Sequence, residues 1–157
     1  MIEVTAEALA THPFLHNMFG DHLASLAEAA ADVTFPARHR LFEDGGSAGR
    51  FWLIQSGSVA LDLHVPGQGR MKIDTIGMGE LLGWSWLFPP YRWAFGAVSA
   101  SPVEAFEFDG RMVRACCESD PVLGYELTRR LARVVAKRLQ ATRVRLITAS
   151  GQSAGAR

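Results

Sequence analysis

The residues of this chain best suited to chemistry lie between Ile76 and Val98, in the stretch IGMGELLGWSWLFPPYRWAFGAV. Gly77, Gly79 and Gly83 let backbone N–H groups approach an oxyanion closely, and a helix starting here would add aligned N–H groups and the positive end of a dipole. Arg92 follows the prolines, where its forked donors could fold back and neutralise a phosphate. Trp84, Trp86 and Trp93 would keep such a site dry. The same residues could also form a packed aromatic plug with Arg92 paired to a surface acid, and spacing alone does not choose between cradle and plug.

Other chemistry is poorly served. Gly77-x-Gly79-x-x-x-Gly83 places its third glycine one residue late for a dinucleotide fingerprint. Gly83-Trp-Ser85-Trp-Leu lacks the second glycine of a nucleophile elbow. His12 and His16 stand four apart, as metal ligands on a helix would, but no third ligand accompanies them. Cys116 and Cys117 are adjacent, which strains a disulfide, and an iron–sulfur cluster needs about four cysteines. No nucleophile–base pair or carboxylate pair is evident. The expectation is a chain that is not an enzyme, holds no metal and requires no cofactor.

The elements that must position this stretch follow from pattern. Thr5 can cap a helix to about Met18, and Asp21 a second to about Ala30. From Asp32 to Phe108 short apolar runs recur every 8–12 residues: DVTF, HRLF, RFWLIQ, SVALDLHV, MKIDTI, WAFGAV and VEAFEF. Glycine and proline punctuate them, which argues an antiparallel roll or sandwich. The strands carry no His-x-His pair, so a metal-dependent β-roll enzyme is the weakest reading. Phe51–Leu61 reads as a hairpin turning at Ser56-Gly57-Ser58. Glu80–Phe88 reads as a short buried helix stopped by Pro89-Pro90. Asp109 can cap Gly110–Glu118. Asp120, with Pro121 at the first position, opens a long helix to about Thr148. On that helix Leu127, Leu131, Val135, Leu139, Thr142 and Leu146 form an apolar stripe, fit for the roll, a partner helix, or both.

This order of elements resembles the cyclic-nucleotide-binding domain found in catabolite-activator-type bacterial regulators, kinase regulatory subunits and gated channels. The resemblance rests on the F-W-L-I-x-x-G-x-V-x-L hairpin, the glycine-bearing cassette ending in Arg92-Trp93-Ala94, and the long last helix. It covers about Leu9 to Ile147, and FPARHRLFEDG, Phe35–Gly45, fits the early strand pair with Arg38 where a glycine is usual. It implies a fold of the α+β class, mainly β. The expected architecture is an antiparallel double-stranded β-helix, a jelly-roll-like β-roll, flanked by N-terminal helices and a long C-terminal helix. The implied domain spans residues 1–149, with N-terminal helices over 5–30, the β-roll over 32–108 and C-terminal helices over 110–148. Residues 150–157 are expected to be a disordered tail.

The resemblance also implies ligands. The cassette amides and Arg92 would grip a cyclic phosphate, with the bulky Trp93 where a small residue is common. A Gly-Glu pair should hold the ribose 2′-hydroxyl, and two registers compete for it. In one the pair is Gly79-Glu80, with a long loop to Arg92. In the other, which needs a smaller length change and aligns Leu87-Phe88 with the usual apolar pair, the glycine is Gly83 and Trp84 replaces the glutamate. A tryptophan cannot accept the hydroxyl's proton. The resemblance thus nominates Gly79, Glu80, Gly83, Trp84, Ser85, Trp86, Arg92, Trp93 and Ala94 for the phosphate cassette. On the last helix Arg138–Thr142, RLQAT, and the following Arg143 resemble the stretch that meets the base, so Thr142 and Arg143 are nominated to bond and stack on it.

Charge adds one asymmetry to a net of zero. Residues 1–127 carry all 16 acidic side chains and 8 of the 16 basic ones, and residues 128–157 carry the other 8 bases and no acid. The basic tail either lies on the acidic body or attracts an anion: a nucleotide, a nucleic acid or an acidic partner. The expectation is a cytoplasmic, stand-alone sensor that binds cAMP, cGMP or a similar anion as regulatory ligand and signals through its last helix as a homodimer, or to a protein effector. The alternative is a degenerate fold with an aromatic-filled pocket that serves as a dimerisation module. With no helix-turn-helix after the last helix and no long apolar run, neither sequence-specific DNA binding nor a membrane span is expected.

Overall fold

In the computed structural model, residues 2–155 are described, with side chains over residues 3–151. Nine strands follow in chain order: β1 Ile2–Glu3, β2 Ala30–Phe35, β3 Arg40–Phe42, β4 Arg50–Ser56, β5 Val59–Val65, β6 Gly69–Ile76, β7 Leu81–Leu82, β8 Gly96–Ser99 and β9 Val103–Asp109. They pair antiparallel into a sheet ordered β1-β2-β9-β4-β7 and a second ordered β3-β8-β5-β6. The fold is the α+β roll anticipated from the sequence, with helices at both ends of the chain.

Period-2 alternation on β4 organises the core. Phe51 and Leu53 point to one face, Trp52 and Ile54 to the other, and all four are buried. The first pair packs against helices, together with Phe106 and Phe108 of β9. The second pair faces the other sheet, together with Val103 and Ala105 of β9. The five-stranded sheet is therefore the middle layer of three, and β4 serves two apolar cores. The hairpin expected at Ser56-Gly57-Ser58 is instead a crossing from one sheet to the other, since β4 and β5 do not pair. The turn requires Gly57, whose φ is +89° and where a Cβ would stand 2.1 Å from the carbonyl oxygen of Pro102.

Before β8 the helices depart from expectation in three places. Thr5 caps α1, Ala6–Ala10, through a bond from Ala8 N, but Pro13 cannot continue it, and the chain resumes as a 3-10 turn over Pro13–Leu15. The helix expected to about Met18 is thus two pieces. The second helix, α2, spans Gly20–Glu28 and has Phe19, not Asp21, at its N-cap. The expected helix over Glu80–Phe88 is absent. Its leucines form β7 against Trp52 and Leu53, Gly83 takes φ +96°, and only Ser85–Leu87 makes a 3-10 turn. Leu81 belongs to one core and Leu82 to the other, so strand alternation fills both where a helix would fill one.

After β9 the Asp109 carboxylate caps α3, Gly110–Ser119, by accepting from Arg111 N and Met112 N. Asp120 accepts from Leu123 N at the start of α4, Pro121–Gly155. This last helix runs past Thr148 into the stretch expected to be a disordered tail, since no proline stops it and extending a formed helix costs little. Ala156 and Arg157 lie outside the described residues. Its apolar stripe divides. Leu123, Leu127 and Leu131 are buried against the helical side of the middle sheet, whereas Val135, Leu139 and Leu146 are 36%, 50% and 63% exposed. Among the described residues no helix is long and apolar enough to cross a membrane.

Candidate ligand-binding site

Two places could have held a ligand near the cassette stretch: the roll interior and the seam between the roll and α4. The interior is full. Trp93 points into it and stacks on Phe42 with ring centroids 3.8 Å apart, and Trp52 stacks against both, 5.6 Å from Phe42 and 6.1 Å from Trp93. The Trp52 indole N–H donates to Glu107 Oε1 at 3.0 Å. At Gly83, the glycine suited to bring backbone close to an oxyanion, the Trp93 ring would stand 2.9 Å from a Cβ. That glycine now admits an indole. Trp84 leans edge-on against Phe95 at 5.5 Å.

Arg92 and Trp93 are neighbours and face opposite ways. With Trp93 inward, Arg92 is exposed, and it donates to the Gly45 carbonyl at 3.2 Å. It lines a separate cleft of about 390 Å3 with Arg111 and Arg114. Ala94 is exposed as well. Trp86 is fully buried on the helical side of the middle sheet, stacked on Phe51 at 4.5 Å, and its N–H donates to Gly83 O. Ser85 is half-buried in the 3-10 turn beside it. Of the residues nominated from sequence, Gly83, Trp84 and Trp93 come together, while Arg92 lies away from them.

The seam is different in kind. A groove of about 870 Å3 runs between α4 and the loop from β6 to β7, and Pro13 and Phe14 also line it. Gly79 and Glu80 line it, and so do Arg129, Arg130, Arg133, Lys137 and Arg138 of α4. Its volume falls in the range of small-molecule sites, roughly 300–1,000 Å3. Asp74, Glu80 and Glu126 supply the opposing charge. Arg130 is engaged, donating to Glu126 at 2.8 Å and to Phe14 O at 2.7 Å.

Arg138 is the centre of this seam. Its guanidinium lies 5.0 Å over the Trp84 ring, and Nη2 donates to the Leu81 carbonyl. Nη1 is buried with no hydrogen-bond partner. Burial lowers the Arg138 guanidinium below its ordinary value, and the nearby carboxylates of Glu80 and Asp74 oppose that shift. A buried donor left unpaired is costly, about 1–3 kcal/mol, and an incoming oxyanion would relieve it. Thr142 donates to Arg138 O at 2.8 Å and accepts from Arg145 at 3.3 Å, so both its roles are spent on its own helix. Arg143 is exposed. Sequence reasoning passed over Arg138, although RLQAT begins with it. The signal was there, since Arg138 shares a helical face with Arg130 and Val134 at four-residue steps.

The comparisons with known proteins now decide the family. The model of the cyclic nucleotide-binding domain matches residues 32–120, more than half of the chain. The chain belongs to the cyclic nucleotide-binding domain family. It is 30% identical over 121 residues to a CRP-like cAMP-activated global transcriptional regulator of Mycobacterium tuberculosis, covering 76% of this chain and 52% of that protein. The chain thus spans about half the length of the curated relatives it matches. A Geobacter metallireducens protein named for cyclic-nucleotide binding shares the fold with a TM-score of 0.78 and 24% identity, over 87% of this chain and 98% of that one. The Thermus thermophilus catabolite activator protein follows with a TM-score of 0.68 and 22% identity, over 88% and 63%.

Proposed function

We propose that this domain is the sensor part of a regulator and takes a cyclic nucleotide, cAMP or cGMP, or a similar small anion at the seam between the cassette stretch and α4. The observation that carries this reading is Arg138, which ties α4 to Leu81 and Trp84 while keeping one buried donor unspent. An oxyanion at Nη1 would satisfy that donor and loosen or tighten the tie, and α4 would carry the change outward. Gly79, Glu80 and Trp84 share the seam. The output is regulation, not catalysis.

The partner that fits α4 is a second copy of the chain. Its stripe continues beyond Leu131 through Val135, Leu139, Thr142 and Leu146 at steps of four, four, three and four residues, close to the spacing of a two-helix seam. The body covers the first part of the stripe and leaves the rest exposed. A second copy supplies the identical stripe and shields both.

One observation favours a second reading. The indole of Trp93 against Gly83 leaves the roll interior no room for a ligand, as in an interaction module that holds its pocket shut. Calorimetric titration with cAMP and cGMP separates the two, run on the wild type, Arg138→Ala and Arg92→Ala, beside light-scattering mass measurement. The sensor reading expects micromolar binding that disappears in Arg138→Ala and survives in Arg92→Ala. A stable dimer giving no heat with either nucleotide sinks it and leaves the module.

A further inference from the structure

Three cations on the groove wall do nothing for the fold. Arg129, Arg133 and Lys137 line the groove and make no hydrogen bond or ion pair among the described residues. They stand four residues apart, so about 6 Å separates each from the next along the helix axis and the row extends about 12 Å. Like charges at this spacing weaken a helix slightly, which makes the row a cost unless something shields it. The acids that line the groove are mostly spent, Glu126 on α4 itself and Asp74 on the facing wall. Glu126 pairs with Arg130 at 2.8 Å, and Asp74 with Arg145 at 3.6 Å. Glu80 alone forms no ion pair among the described residues.

We infer that this row is a site for a linear polyphosphate. The inference deepens the sensor reading above by naming a different ligand class for the same groove. A cyclic phosphate carries one negative charge and can face one of these cations. A chain of phosphates presents charges in series and matches a row of three. The concavity argues against a flat acidic protein surface, since the groove has the volume of a small-molecule site.

The test is calorimetric titration with ATP, AMP, inorganic tripolyphosphate and cAMP, in buffer with chelator and 150 mM salt so that surface charge is screened. Three proteins are compared: the wild type, Arg138→Ala and the triple variant Arg129→Gln/Arg133→Gln/Lys137→Gln. The triple variant should melt like the wild type, because these side chains hold nothing. ATP is expected to bind at least tenfold more tightly than AMP, tripolyphosphate is expected to bind, and the triple variant should lose both by tenfold or more. Equal affinity for ATP and AMP, no binding of ATP or tripolyphosphate, or unchanged binding by the triple variant overturns the inference. Binding of cAMP that needs Arg138, without binding of ATP, overturns this inference and leaves the sensor reading standing. Binding of ATP without cAMP supports the polyphosphate ligand and counts against the cyclic nucleotide.

Discussion

The roll interior and the groove under α4 lie on either side of the same cassette stretch and are built on opposite terms. The interior is aromatic and closed: Phe42, Trp52 and Trp93 stack where a ligand could have entered. The groove is open, and its α4 wall carries Arg129, Arg133, Lys137 and Arg138. In the interior every side chain contributes to stability, so no contact is left over for a ligand. In the groove Arg129, Arg133 and Lys137 make no bond among the described residues and Arg138 keeps one buried donor unpaired, so that capacity remains available. Under the proposed function, it is these surplus donors and unshielded charges that a ligand would meet.

Substitutions can break that contrast. The largest effect is expected from Trp93→Ala, which empties the stack and should cost about 3–5 kcal/mol in urea denaturation. A loss below about 1 kcal/mol would mean that the interior is slack enough to admit a ligand.

A smaller effect comes from pH at the residue joining the two regions. His12 is buried, its Nε2–H donates to Ile54 O on β4 at 2.9 Å, and its Nδ1 accepts from Phe14 N at 3.1 Å beside the groove. Burial lowers its proton affinity below the ordinary imidazole value of 6.5. The folded state therefore keeps His12 neutral while the unfolded chain takes up a proton as pH falls below about 6.5. Stability should drop from pH 7 toward pH 5, by at most about 1.4 kcal/mol per pH unit. Denaturation of the wild type and His12→Phe across that range should show the slope reduced in the variant.

Arg138→Met should change stability by less than about 1 kcal/mol, because an apolar side chain of similar length removes an unpaired buried donor as well as a bond. Nucleotide binding should vanish all the same. The smallest effect is expected from Arg92→Ala. Its guanidinium is exposed with one bond to Gly45 O, so melting should move by the equivalent of under about 0.5 kcal/mol.

How far the sequence reached depends on the element. The turn at Gly57 was legible because alternation over Phe51–Leu61 and a turn glycine agree, but the hairpin expected there does not form, since β4 pairs with β7 and β9 while β5 pairs with β6 and β8. The start of α4 was legible because Asp120-Pro121 is a strong helix signal. Leu81–Leu82 was misread as helix, since a short apolar run has no periodicity to separate strand from helix. The facing of Arg92 and Trp93 was beyond reach for a related reason. In extended chain a shift of one residue exchanges the inward and outward sets, and nothing local says whether the arginine or the tryptophan turns in. Arg138 escaped because its burial is imposed by Trp84 and Leu81, more than fifty residues earlier in the chain.

One consequence of β4 concerns how the protein comes apart. Because Phe51 and Leu53 belong to one core and Trp52 and Ile54 to the other, neither core can melt and leave the other intact. The two layers should unfold in a single cooperative step, with the amides of β4 the last to exchange their hydrogens. A disturbance at α4, seated on the helical core, would then be felt by the aromatic interior through that one strand.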